Sequence, residues 1–254
     1  MEQRGEKIAM LTAYDYFTAK TLDECGIDVI LVGDTVGMAV AGNETTIGVK
    51  LNHIIYHAEM VSRAANRAMV VGDMPFLSFQ LNIDSAVENA GRLMQEGRVH
   101  AVKLEGGRAM VPVIKRILRA GIPVMGHLGL TPQSVHRFGG FRVQGKDPES
   151  ARRLREAAKA LEDAGCFAIV LEAIPAALAA DISGALTVPT IGIGAGPHCD
   201  GQVLVTPDML GITGFDAKYL KRYANVGEVI REAVAGYVAD VKEQRFPTNA
   251  HSYR

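Results

Sequence analysis

Short runs of consecutive apolar residues alternate along this chain with longer stretches whose apolar positions recur every three or four residues. The short runs do not alternate with polar residues, as a half-exposed strand would. They read instead as strands buried on both faces of a parallel sheet. Such strands are expected at residues 8–15, 29–34, 68–73, 101–105, 123–127, 168–172 and 189–193, with a weaker eighth at 202–205. Helices are expected at 16–25 (closed by Gly26), 51–65, 85–96 (capped by Asp84), 109–119, 150–164 and 226–243. Within 51–65, Leu51, Ile54, Ile55, Ala58 and Val61 keep close to the helical period. A polar, Gly-rich stretch at 129–148 reads as the longest loop, and loops of that length are usually functional.

Repeated strand-then-helix units imply an α/β protein with right-handed crossovers. Eight units fit a closed (β/α)8 TIM barrel, and an open doubly wound sheet is the competitor. The length of 254 residues suits a barrel. No composition shift marks a linker, so residues 1–254 are expected to form one catalytic domain.

Four of the apolar runs end in a carboxylate: Val-Ile-Leu-Val-Gly-Asp34, Met-Val-Val-Gly-Asp73, Val-Lys-Leu-Glu105 and Ala-Ile-Val-Leu-Glu172. Ligands of parallel α/β folds sit at the carboxyl ends of the strands. Four acids at that edge converge on one site, which is costly unless a cation or substrate shares the charge. A hard cation such as magnesium prefers carboxylate oxygens and keeps several waters. Asp34, Asp73 and Glu105 would supply part of an octahedron and leave positions for substrate. Singly, each acid is as readily a turn or cap residue; together they favour a metal site.

Lys103 lies two residues before Glu105, so both side chains share one face of a strand. Among acids it would stay protonated, which suits a substrate carboxylate or a structural ion pair better than a Schiff base. His127 ends the fifth strand, where an imidazole can bond a substrate oxygen or serve structure alone. Glu172 stands apart in sequence from the trio and is the natural general base. Gly192-Ile-Gly-Ala-Gly196 has a weak likeness to a phosphate-binding turn but lacks the dinucleotide spacing.

Composition narrows the partners. The net charge of −1 and scattered Lys and Arg argue against nucleic acid. The three cysteines, Cys25, Cys166 and Cys199, form no CxxC pair, and a reducing cytoplasm is the expected compartment. The segment 1–7 carries no apolar signal core, and no run nears the roughly 18 apolar residues of a membrane span. The C-terminal tail, 245–254, is expected on the surface or on a neighbouring subunit.

Several blocks then resemble one family closely. They are Thr12-Ala-Tyr-Asp-Tyr16, Leu31-Val-Gly-Asp-Thr-Val-Gly-Met38, Asp73-Met-Pro-Phe76, Val102-Lys-Leu-Glu-Gly-Gly107 and Gly126-His-Leu-Gly-Leu-Thr-Pro-Gln-Ser134. Phe138-Gly-Gly-Phe-Arg-Val-Gln-Gly145, Val170-Leu-Glu172, Ile191-Gly-Ile-Gly-Ala-Gly196 and Asp200-Gly-Gln202 follow in order. The chain resembles the ketopantoate hydroxymethyltransferases. The resemblance implies a barrel of the phosphoenolpyruvate/pyruvate-type superfamily. It implies hydroxymethyl transfer from 5,10-methylenetetrahydrofolate to 3-methyl-2-oxobutanoate, giving 2-dehydropantoate and tetrahydrofolate, the first step of pantothenate biosynthesis. By the family pattern, Asp34, Asp73 and Glu105 correspond to the Mg2+ sphere. Asp34, Thr35, Asp73 and Lys103 correspond to ketoacid contacts, His127 to a polar residue beside the substrate, and Glu172 to the catalytic base. A homo-oligomer, often a decamer, is also implied. Position 35 is Thr where the motif commonly has Ser, and the lead into the first strand is short. The competing readings are a magnesium-dependent C–C or P–C lyase or mutase on a 2-oxo acid in the same superfamily, and a non-catalytic metabolite-binding barrel. The wording of 129–145 favours the transferase.

Overall fold

The computed structural model describes residues 5–253; residues 1–4, in the segment read for a signal core, and residue 254 of the tail lie outside them. Two compact units emerge, one through Val205 and one from Thr206 onward.

The first unit is the barrel. Its elements run β1 (Ile8–Thr12), α1 (Tyr16–Glu24), β2 (Val29–Val32), α2 (Val36–Ala39), α3 (Leu51–Ala64), β3 (Met69–Asp73) and α4 (Ile83–Gln95). They continue with β4 (Ala101–Glu105), α5 (Val111–Arg119), β5 (Val124–Gly129), α6 (Val135–Phe138), α7 (Pro148–Ala164), β6 (Ala168–Glu172), α8 (Ala176–Ala185), β7 (Thr190–Ile193) and β8 (Gly201–Leu204). The strands pair in chain order and β8 closes on β1, all parallel. The (β/α)8 expectation therefore holds, with one departure: β7 passes to β8 without a helix. That passage is pinned by Asp200, whose Oδ2 accepts from both N and Oγ1 of Thr190 at 2.9 Å.

Alternation along each strand divides the apolar residues into two layers. Met10, Val29, Leu31, Val71, Ala101, Met125, Ala168, Val170, Ile191 and Val203 fill the barrel interior. Their neighbours, among them Ile30, Val70, Val102, Leu104, Leu128 and Ile169, face outward against the helices. The interior is thus a packed core below and, by the same alternation, polar at the carboxyl end. There Asp73, Lys103, Glu105, His127 and Glu172 continue the inward sets of β3 to β6.

Helix ends follow capping chemistry more closely than the sequence reading did. β1 stops at Thr12, because Asp15 turns out to cap α1, accepting from Thr18 N at 2.9 Å. α4 begins at Ile83, and its cap is Asn82, which accepts from Ser85 N; Asp84 lies in the first turn. The 129–148 stretch is only partly loop: a single 3-10 turn at Pro132–Ser134 runs into α6. α8 was not expected, since its Ala-rich sequence has no apolar stripe to betray it.

The second unit holds α9 (Thr206–Met209) and α10 (Val226–Lys242). Val229, Ile230, Val234, Tyr237, Val238 and Val241 of α10 are all exposed. Among the described residues, no helix is long and apolar enough to cross a membrane.

Candidate active site

Asp73 and Glu105 reach the barrel mouth by simple alternation: Met69, Val71 and Asp73 share a face, as do Ala101, Lys103 and Glu105. Asp34 reaches it differently. Val29 and Leu31 point inward, so a straight strand would send residue 34 outward. β2 ends at Val32, and a turn closed by Val36 N donating to Gly33 O brings Asp34 back over the mouth. Its backbone N then donates to Asp73 Oδ2 at 3.1 Å. Thr35 follows, its hydroxyl 2.6 Å from that of buried Tyr14.

Lys103 is the cation amid these acids, 96% removed from solvent and with Nζ 2.9 Å from Asp73 Oδ1. Burial works against its charge, but Asp73, Glu105 and Asp34 outweigh it and hold the ammonium protonated. The acids feel the reverse. Burial, then the charge of Asp73, pushes Asp34 up to about 7. Burial and Asp34 push Glu105 well above the usual carboxylate range.

His127 is buried beside Lys103 and stays neutral, its pKa driven well down by burial and by the lysine's charge. Lys103 Nζ and His127 Nδ1 are 3.3 Å apart. A charged lysine can only donate, so Nδ1 is the acceptor and the ring proton sits on Nε2. Nε2 lies 3.1 Å from Glu172 Oε2, near enough for a hydrogen bond but outside its angular range. Glu172 is the most open of the four acids, its side chain 17% exposed, and burial raises its carboxyl to about 7 against the pull of Lys103.

The structure thus brings together every residue named from the sequence: Asp34, Thr35, Asp73, Lys103, Glu105, His127 and Glu172. It adds one that the sequence reading passed over. Gln133, buried in the 3-10 turn after β5, donates Nε2 to Asp34 Oδ2 and to Met74 O, both at 2.9 Å. Its backbone N donates to Glu105 Oε2 at 3.1 Å, and its Oε1 accepts from Gln80 Nε2 at 3.0 Å. One residue therefore ties Asp34, through its side-chain amide, to Glu105, through its backbone N–H. It stands inside the Leu-Thr-Pro-Gln-Ser block, which was its only signal.

Among the described residues, no three His, Cys, Asp or Glu side chains close on one point as a finished metal cage. The mouth offers a partial shell instead. Glu105 Oε1 is buried without a hydrogen bond, and Asp73 Oδ1 has only the ion pair with Lys103. Buried acceptors of this kind want a cation. Magnesium suits such a set, because it takes one or two carboxylates and fills the rest with water and substrate oxygens. The glycines at 192 and 196 have a packing explanation. A Cβ on Gly196 would meet that of Ala176 at 2.5 Å, and one on Gly192 would crowd Cys199 and Gln202 at about 3.0 Å.

A family model described as ketopantoate hydroxymethyltransferase matches residues 1–249. The chain is 55% identical over 254 residues to a 3-methyl-2-oxobutanoate hydroxymethyltransferase from Syntrophus aciditrophicus (strain SB), covering all of this chain and 93% of that protein. A protein of the same name from Geobacter sulfurreducens is 53% identical, with 100% and 95% covered. Among solved structures, a phosphonopyruvate hydrolase in complex with oxalate and Mg++ superposes with a TM-score of 0.63 at 12% identity, covering 99% of this chain and 88% of that one. A 2,3-dimethylmalate lyase of the PEP mutase/isocitrate lyase superfamily gives 0.61 at 16% identity, with 99% and 88% covered. At such identities the structural likeness carries the fold alone.

Proposed function

The chain belongs to the ketopantoate hydroxymethyltransferase family, and from that premise we propose how its barrel mouth carries out the reaction. The protein is a hydroxymethyltransferase of the first step of pantothenate biosynthesis, and its acceptor is 3-methyl-2-oxobutanoate. The one-carbon donor we assign is 5,10-methylenetetrahydrofolate. Net, the ketoacid, the methylene donor and water give 2-dehydropantoate and tetrahydrofolate.

The observation that carries this chemistry is the pairing of a poised base with a cluster of three acids around one buried lysine. Glu172 takes the proton from C3 of the ketoacid, a role that its carboxyl near 7 supports. Asp34, Asp73 and Glu105 would hold magnesium, whose contribution when bound is Lewis-acid polarisation of the 2-oxo acid's carbonyl. Lys103 stays charged and offsets the substrate carboxylate. The neutral His127 stands with Nε2 3.1 Å from Glu172 Oε2 and without a hydrogen-bond partner, so its Nε2–H is free for a substrate oxygen beside the base. Thr35, fixed by Tyr14, adds a hydroxyl at the rim. C3 then forms its bond to the donor's methylene carbon as one of the two folate nitrogens holding that carbon departs, and water displaces the second nitrogen, leaving its OH on the carbon and its proton on the folate.

One assay tests the assignment. Purified protein with 3-methyl-2-oxobutanoate, methylenetetrahydrofolate and magnesium should form 2-dehydropantoate. Folded, metal-supplied protein that forms none overturns it. Self-assembly belongs to the same reading: the exposed apolar residues of α10 suit contact with a second copy. Light scattering should then give a mass that is a multiple of 27.2 kDa, and a monomer would refute assembly.

A further inference from the structure

Beside the acid cluster lies a cavity of about 720 Å3 that the chemistry above does not use. That volume is within the roughly 300–1,000 Å3 of small-molecule sites. Its wall begins at Gly106, the residue after Glu105, and includes Gly129 and Thr131, which flank the end of β5. From there it extends outward over Leu128, Phe138 and Leu154 to the first turns of α7. Its inner end therefore adjoins the reacting centre and its outer end opens on α7.

The lining changes character along that path. Near the barrel it is mainly glycine and apolar surface, with the hydroxyl residues Thr131 and Ser134 among it and Phe138 half-buried. Farther out stand four arginines, Arg108, Arg137, Arg152 and Arg153. Glu156 holds Arg108 at 3.3 Å and Arg152 at 2.6 Å, and Glu149 holds Arg153 at 2.7 Å. Arg137 has no ion-pair partner among the described residues and is exposed. Four guanidiniums against two carboxylates leave a positive surplus at the outer end. A ligand matched to this gradient is flat and apolar in its middle and carries carboxylates at its far end.

We propose that the cavity seats the aminobenzoyl-glutamate arm of the folate donor, with Arg137 as the principal contact for its carboxylates. This rests on the reading of the site as a folate-dependent hydroxymethyltransferase. The reacting end of the donor then lies at the Gly106–Gly129 end, against the mouth. Successive glutamates of a polyglutamyl donor run out over the arginines.

Calorimetric titration tests it with three probes: tetrahydrofolate, its triglutamate, and 6-methyltetrahydropterin, which lacks the arm. The intact protein should bind the triglutamate more tightly than tetrahydrofolate, and both more tightly than the pterin. Arg137→Gln, which breaks no ion pair, should weaken both folates about tenfold, the size of one charge-assisted hydrogen bond. Pterin and ketoacid binding should not move. Arg137→Glu should weaken the folates further, with an unchanged melting temperature showing that the fold is intact. Equal folate affinity in intact protein and both variants, or pterin binding as tight as folate binding, overturns the assignment. If the intact protein makes 2-dehydropantoate while Arg137 proves inert, only the cavity assignment falls. If it neither binds folate nor makes product, the parent reading falls too.

Discussion

Glu172 changes protonation within the range where the enzyme must work. Its carboxyl stands near 7, so the base is mostly uncharged at pH 6 and mostly ionised at pH 8. The rate should therefore rise with pH through an acid limb near 7. Glu172→Gln should cost about 10²- to 10⁴-fold in turnover, the usual worth of a positioned base. Exchange of the ketoacid's C3 hydrogen with deuterated solvent reads the same step directly; exchange at the unaltered rate in that variant would remove Glu172 from the role. Gln133 acts through the acids it ties. Gln133→Ala frees Asp34 Oδ2 from its amide donor and should weaken magnesium binding about tenfold, measured by titration of the metal alone. Unchanged affinity would make the amide a packing detail. Asp73, Lys103, Glu105, His127 and Glu172 were legible because ionisable residues that end or interrupt buried strands have few other reasons to be there, and Asp34 because it closes the apolar run that holds β2. Gln133 was not, since a neutral amide in a loop gains its meaning only when the chain after β5 folds back across the mouth.

The placement of Glu172 is a property of two strands. Gly129 on β5 is in register with Glu172 on β6, and Leu130 N donates to Glu172 O at 2.8 Å. Gly129 adopts φ +94°, and a Cβ there would fall 2.1 Å from that same carbonyl oxygen. Gly129→Ala should destabilise the fold by about 1–3 kcal/mol, as overpacking does, and lower turnover by displacing the base. Chemical denaturation and kinetics check both; a stable, fully active variant would show that the two strands can part without consequence. The strands themselves were readable because β2, β3, β4 and β6 are buried on both faces and so almost uniformly apolar. α2, α6 and α9 span four residues each, too few to show a period, and α8 is rich in alanine, with Asp181 its one charged residue, so no polar face stands out. Where two polar residues compete to cap a helix, as Asn82 and Asp84 do, sequence alone does not choose.

At the scale of the molecule, the barrel stacks an apolar core beneath a charged mouth, and the mouth sets how stability responds to pH. Asp34 and Glu172 titrate near 7 in the folded chain, against ordinary values of 3.8 and 4.5. Between those limits the folded state holds protons that the unfolded state has released, so stability falls as pH rises. The contribution is complete below about pH 4 and lost through pH 7. The metal-free protein should melt at a lower temperature at pH 8 than at pH 6, and bound magnesium should narrow the gap. A melting temperature that is flat or rising across that range would mean that the acids are not held as described.

The crowding of three acids around Lys103 also has a consequence for how this protein can change over generations. A chain free to drift would discard such a cluster, since neutral side chains would fill the same space at lower cost. Glu105→Gln should raise the melting temperature of the metal-free protein while abolishing turnover, and a fall in both would contradict it. Retention of the acids is then a mark of selection for the reaction against the grain of the fold, and descendants released from that selection should lose them first.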